Sequence, residues 1–355
     1  MCGSGIRALR YLKEGGAGFV LANDANFDLV AAAQMNLGED VAMGRVELRT
    51  GDASDCFLRA RLSKDYFDLI DVDGFGSGAP YNAEAVGALK MGGLLYLCCT
   101  DARTAAGKNA GPQALRAFGA VAQSMPFSNE LAARLVIADA VRQAATRGML
   151  LQPFFSFYHR ASSCTRVMLR LTATGRKSAQ VEQVGFVVRC STTGNHWPVP
   201  LEHVQDPRGA PGVPTQASHA GIRTAGMDAE AAGAALSLTG PVWPGRLGDP
   251  IALHAMAQDA AEREGMGDAQ KLLAKMEEDL SLDSMGYLRL KEIGRFLGLR
   301  GVQSLPSKAD LIGELRSRGA AAGEAQAEAQ AIKTDASMEM VAEAAMHLLA
   351  QKPSV

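Results

Sequence analysis

The stretch 68-DLIDVDGFGSGAP-80 decides how the chain is read. A short apolar run ends on a carboxylate, Asp73, and passes at once into Gly74-Phe75-Gly76-Ser77-Gly78. Such a run, bounded by turn residues, reads as a buried strand. Three glycines in the turn adopt backbone angles other residues avoid and let a ligand approach the main chain closely. An acid at that point is either a turn residue or part of a site.

Working outward, strand-like runs alternate with helical patterns, which predicts an α/β fold with a parallel sheet. "GIRALRYLKEG" carries Ile6, Leu9 and Leu12 at helical spacing; "GFVLAND" reads as a buried strand and "FDLVAAAQMNLGE" as a helix. Strands are expected at "RVELRTGDAS", "YFDLIDVDGFG" and "GLLYLCCTD", and helices at "NAEAVGALKMGG" and "NELAARLVIADAVRQAATRG". "TRVMLRLTA" and "VGFVVRCST" suit a closing antiparallel pair. Residues 205–240, rich in Ala, Gly, Pro and Ser, read as a flexible insertion. From 250 onward the pattern is helical, and 319-GAAAGEAQAEAQA-331 reads as a solvated helix or loop.

The 355 residues suffice for two domains with ample cores. A net charge of -2 does not announce a nucleic-acid binder, although a local basic patch is compatible with it. No apolar run approaches bilayer-spanning length, and the N-terminus lacks a signal or transit pattern. The six cysteines, Cys2, Cys56, Cys98, Cys99, Cys164 and Cys190, are scattered, which fits reduced, intracellular usage. They form no CxxC pair, and the six histidines show no metal spacing, so no metal is expected.

Four strands of the first half end in an acid: Asp24, Asp52, Asp73 and Asp101. In open α/β sheets ligands sit outside the carboxyl ends of the strands. One acid there is usually a cap; four in succession outline a site in which at least one still caps. The turn Gly3-Ser4-Gly5-Ile6-Arg7-Ala8 satisfies a loose dinucleotide fingerprint, and Asp24 lies about 20 residues on, where an acid accepts ribose hydroxyls. A nicotinamide dinucleotide and S-adenosylmethionine both remain open on that basis. The acid-glycine-aromatic turn favours the second. Methylating an exocyclic amine needs an acceptor for the amine proton, because the nitrogen lone pair is delocalised into the ring. Asp73 suits that task, and Phe75 is either a face on which a base stacks or a core residue.

These segments resemble the tRNA (guanine-N2)-dimethyltransferases, which methylate the guanine at tRNA position 26. The resemblance is carried by "GSGIRALRYLKE", by "VLANDANFDLVAAAQMN" and by "FDLIDVDGFGSGAPYNAEAVGALKMGGLLYLCCTD", the last being long and specific. "LAARLVIADAVRQAATRGMLLQPFFSF", "GPVWPGRLGDP" and "AIKTDASMEMV" agree with later family segments. It implies a Rossmann-like S-adenosylmethionine-dependent methyltransferase domain over residues 1–195. A low-complexity linker over 196–249 and a C-terminal α+β domain over 250–355 that helps hold tRNA would follow. It further implies that Arg7 contacts the cofactor, Asp24 holds its ribose, Asp52 and Ala53 frame the adenine, and Asp73 accepts the guanine N2 proton. Phe75 would stack on the substrate base, drawn out of its stack as base-modifying chemistry requires.

The chain departs from the family in several places. The family's Asp-Pro-Phe-Gly is here Asp73-Gly74-Phe75-Gly76, so a rigid residue has become a permissive one. The family's two CxxC pairs are absent, a basic segment before "KTDA" is replaced by the alanine-rich stretch, and of a DFYVRV-like segment Arg166 survives. Family members also carry a strand before the glycine loop, whereas this sequence begins at the loop. A central strand of the sheet would therefore be missing and strand edges left unpaired. Two alternatives to the methyltransferase stand at this point: a catalytically impaired relative that only binds tRNA, and a nicotinamide-dependent oxidoreductase.

Overall fold

The computed structural model describes residues 1–109, 111–173, 183–201, 236–299 and 305–351. The chain opens with a glycine loop that runs into helix α1 (Ile6–Lys13), followed by β1 (Val20–Asp24), α2 (Phe27–Ala42), β2 (Val46–Thr50) and α3 (Ala53–Ser63). Then come β3 (Phe67–Val72), α4 (Ala79–Ala88), β4 (Leu89–Cys99), two short helices at Ala102–Ala105 and Gly111–Phe118, and the long α7 (Ser128–Ala145). Strands β5 (Met149–His159) and β6 (Cys164–Ala173) complete the first body.

The sheet is built in two parts. β1 pairs in parallel with β2, from Val20 opposite Val46 to Asp24 opposite Thr50. A four-stranded sheet runs β3-β4-β6-β5, in which β3 and β4 are parallel and β6 is antiparallel to both neighbours. Among the described residues β1 and β3 do not pair with each other. Val46, Ala22 and Leu37 form a small core with Ala8 and Leu12 of α1, while Ile70, Val72, Leu95 and Leu97 belong to the main core. α7 crosses the four-stranded sheet and is buried around nearly its whole circumference. Its buried charged residues, Glu130, Arg134 and Asp139, are each paired, as burial of charge requires.

The antiparallel pair anticipated at the end of the first body is different. β6 pairs with β4 and with β5, which lies in "MLLQPFFSFYH" directly after α7. β7 (Gly185–Cys190) instead joins a separate sheet between β8 (His196–Pro200) and β9 (Leu236–Val242). Two strands therefore fall inside the segment read as linker, and their ladder with β7 makes its ends part of the packed protein. Residues 202–235, which include most of the expected flexible insertion, lie outside the described residues.

Helices Pro250–Glu262 and Gly267–Ser281 pack beside β5, with Phe155, Leu253, Met276 and Leu280 in one cluster. A three-stranded sheet, β10 (Leu288–Arg289), β12 (Ala331–Thr334) and β11 (Ala322–Glu324), is covered by helices Leu290–Phe296, Lys308–Ser317 and Met338–Ala350. The alanine-rich stretch is not a helix: it is largely loop, as one of its two readings has it, with the short β11 inside it, and much of it is buried rather than solvated. Ala322, Ala325, Ala327 and Ala331 are buried, and small side chains allow the close approach this requires. Gln326 pairs with the backbone of Tyr158 on both its N–H and C=O, at 3.1 Å each. Its own amide donates to Asp279 at 2.9 Å.

α7 and the C-terminal part meet in a buried charge cluster. Lys333 on β12 donates to Asp279 at 2.7 Å and to Glu130 on α7 at 3.1 Å. Glu130 also accepts from Arg134 at 2.8 Å and from the backbone of Gly286 at 2.7 Å. Arg134 donates in turn to the carbonyls of Trp243 and Gly245. Burial opposes the charge on Glu130, yet Lys333 and Arg134 outweigh it and hold this carboxyl below its usual range. Asp279 moves the other way, because burial dominates.

Removing one member of such a cluster leaves a buried charge unpaired, at a cost of about 3–5 kcal/mol. Lys333→Met is accordingly expected to lower unfolding stability by several kcal/mol in urea titration, and adding Asp279→Asn should recover part of it. A melt unchanged by Lys333→Met would show that the cluster does not join the two parts.

Candidate functional site

The glycine loop, the end of β1 and the end of β3 come together at the carboxyl edge of the two sheets. Gly3 and Gly5 sit at φ 55° and 79°, in the left-handed region. At Gly5 a Cβ would lie 2.7 Å from Leu37 Cδ1, so the loop packs on α2 only because the residue is glycine. No side chain caps the N-terminus of α1, which leaves the positive end of the helix facing the loop.

Asp24, which ends β1, is nearly buried. Its carboxylate accepts from the backbone of Gly3 and of Asn26, each at 3.0 Å, and lies 3.3 Å from the amino group of Met1. Burial works against its charge, but these N–H groups prevail and hold the carboxyl below its ordinary range. A carboxylate offers about four lone-pair sites, so these contacts do not saturate it. Asp52 caps α3 by accepting from Ser54 N at 2.8 Å, with its side chain exposed beside the buried Ala53. Asp101 likewise accepts from Thr104 N, at 3.1 Å.

The centre of the site is Arg7. Its Nη1 reaches Asp71 at 2.8–3.0 Å, and its Nη2 donates to Asp73. Tyr11, one turn further along α1, donates to Asp71 at 2.7 Å. Burial, and next the charge of Asp71, raise the Tyr11 hydroxyl so that it stays protonated and remains a donor. Asp73 also faces Arg166 of β6 at 3.9 Å, and that guanidinium stands over the Tyr96 ring at 5.6 Å from its centre. Two acids and two guanidiniums thus alternate across the gap between α1, β3 and β6.

The glycine turn is fastened to the end of β4. Gly76 N donates to Thr100 Oγ1 and Thr100 N to Gly76 O, each at 2.8 Å, with Gly76 at φ 83°. At Gly74 a Cβ would lie 3.0 Å from Met1 Sδ. Phe75, at the tip of the turn, is fully exposed and therefore not a core residue.

Of the residues singled out from sequence, Arg7 and Asp73 meet directly. Asp24 stands on the neighbouring strand end with the glycine loop, Asp52 and Ala53 begin α3, and Phe75 rises beside Asp73. Asp71 and Tyr11 complete the cluster and were not anticipated. The signals for them are simple: Asp71 precedes Asp73 by two residues and so shares its strand face, and Tyr11 follows Arg7 by four on one helix face. The four described histidines lie elsewhere, His196 half-buried against Met285 O and the others at the surface. Among the described residues no group of His, Cys, Asp or Glu is placed to hold a metal ion, and no helix is long and apolar enough to cross a membrane.

The chain resembles proteins of known family along most of its length. It is 28% identical over 324 residues to a tRNA (guanine(26)-N(2))-dimethyltransferase of Pyrobaculum neutrophilum, a match covering 90% of this chain and 76% of that protein. It is 27% identical to the protein of the same description from Schizosaccharomyces pombe, covering 94% of this chain and 60% of the relative. Its fold is similar to that of Trm1 from Pyrococcus horikoshii, solved as a complex with S-adenosyl-L-methionine. The TM-score is 0.77 at 22% identity, over 96% of this chain and 85% of that one. A family description of N2,N2-dimethylguanosine tRNA methyltransferase matches residues 1–346, and with the acid-lined strand ends in place the chain belongs to that family.

Proposed function

We propose that the chain transfers methyl groups from S-adenosylmethionine to the exocyclic N2 of guanine at tRNA position 26, with Asp73 as proton acceptor. The observation that carries this reading is the position of Asp73. It ends a parallel strand, lies between two guanidiniums and adjoins a fully exposed aromatic ring. Family membership leaves the oxidoreductase alternative without support.

The residues present suit the cofactor. The glycine loop and the uncapped end of α1 offer N–H groups to a carboxylate, Asp24 retains lone pairs for ribose hydroxyls, and Asp52 with Ala53 borders the adenine side. When bound, the cofactor supplies an electrophilic methyl on a sulfonium. This chain's residues do the rest. Phe75 presents a ring face to the extruded base. Asp73 holds the amine through one N–H and takes that proton as nitrogen gains its new bond.

Arg7 sets how readily Asp73 does so. A carboxylate paired with guanidinium is a weak proton acceptor, since the cation favours its charged form. Asp71 and Tyr11 draw Arg7 the other way. Arg7 is thus shared between two acids rather than committed to Asp73 alone.

The same ion pairs give the second reading its one support. If Arg7 and Arg166 keep Asp73 fully engaged, the chain binds tRNA without modifying it.

Three substitutions separate these readings. Asp73→Asn should reduce methyl transfer by about 10²–10⁴-fold while leaving S-adenosylmethionine affinity within a few-fold. Equal loss of both would make Asp73 structural. Asp24→Ala should weaken cofactor binding by about tenfold or more in calorimetry, and unchanged affinity would remove it from the site. In Asp71→Asn, Arg7 keeps Asp73 as its one carboxylate partner, so methyl transfer should fall. An unchanged rate would exclude any influence of Asp71 on the acceptor.

A further inference from the structure

On the side of the Phe75 turn formed by helix Gly111–Phe118 and α7 there is an open recess of about 750 Å³. That is within the size range of small-ligand sites. Its wall is mixed in a particular way. Phe75 and Leu115 are both strongly exposed and both line it, so two apolar surfaces face solvent at one concavity. Asp101, Gln113, Arg116 and Gln143 supply polar groups around them. Arg116 and Gln113 make no hydrogen bond or ion pair among the described residues, whereas Arg142, at the same recess, is engaged by Asp139 and Phe118 O.

Apolar faces for a flat ring, amide groups at its edge and an unpaired guanidinium for a phosphate form the recognition set of an unstacked nucleotide. Asp73 and Phe75 are two residues apart, so their Cα atoms are at most about 7 Å apart. The recess and Asp73 lie on either side of the same turn.

The geometry points to this recess as the seat of the nucleotide directly next to the target guanine, lying against Phe75 and Leu115 with its phosphate toward Arg116. This rests on the methyltransferase reading above and extends it, because a second unstacked base fixes the register of the target at Asp73. Base extrusion costs stacking energy, and holding the neighbour offsets part of that cost.

The test is a double-mutant cycle between protein and RNA. Leu115→Ala and Arg116→Ala, both at exposed side chains, are made in the full chain, and tRNA dissociation constants are measured by filter binding. The tRNAs are intact, or lack the base 5′ of the target guanine, 3′ of it, or at the target itself. Leu115→Ala is expected to weaken intact tRNA about five- to tenfold and to have no further effect once one neighbouring base is absent. Arg116→Ala should lower the salt dependence of binding by about one phosphate contact. S-adenosylmethionine affinity should not change in either variant. Coupling of Leu115 to the target base would overturn the assignment, and so would equal weakening of all four tRNAs. If the unaltered chain methylates tRNA yet shows no coupling, the recess alone is refuted. If it does not bind tRNA at all, both this inference and the methyltransferase reading fall.

Discussion

The shared guanidinium of Arg7 is the contact on which the site depends. β1 and β2 form one small sheet, β3 to β6 another, and no backbone ladder joins them among the described residues. What crosses from one to the other includes Arg7 to Asp71 and Asp73, Tyr11 to Asp71, and Met1, which packs against the main core beside Gly74. A strand ladder would fix this geometry with many parallel hydrogen bonds. Here a few side-chain contacts do so, and the charged ones are partly screened by solvent. The expected binding residues and the expected acceptor belong to different sheets, so the relation of Asp24 to Asp73 is only as firm as these contacts.

The second half of the chain addresses this from the other side. Arg166, the other cation facing Asp73, stands on β6, whose partner β5 packs against the helices from 250 onward. Those helices are anchored to α7 through Lys333, Glu130 and Asp279. The C-terminal part thus has a structural role of its own. It braces the strand that aims Arg166, while Arg7 comes from the less firmly tied N-terminal sheet.

Much of this was legible in the sequence because it is local. Glycines at 3 and 5 before an amphipathic helix, an acid closing each of four runs, and the Asp73–Gly78 turn all declare themselves within ten residues. What was not legible is long-range. Nothing in "TRVMLRLTA" says that its partner is "MLLQPFFSFYH" rather than "VGFVVRCST", since all three are apolar runs of similar length and only the assembled core decides. The alanine-rich stretch misleads for a different reason. Its composition matches solvated segments, but alanine also permits the tightest packing, and Gln326 supplies the backbone partners that burial demands. Lys308, Arg316 and Arg318 read from sequence more readily as a solvated face than as phosphate contacts. In the structure Glu324, Glu278 and Glu314 pair with them.

Gly74 shows how one departure from the family pattern fits its surroundings. Proline at this place would fix φ near −65° and hold Asp73 more rigidly. Glycine leaves the turn free to move, and the structure tightens it from both ends instead. Thr100 clamps Gly76 through two hydrogen bonds, and Arg7 with Arg166 holds the carboxylate of Asp73. Electrostatic anchoring of this kind can be released by a competing anion, which a proline ring cannot.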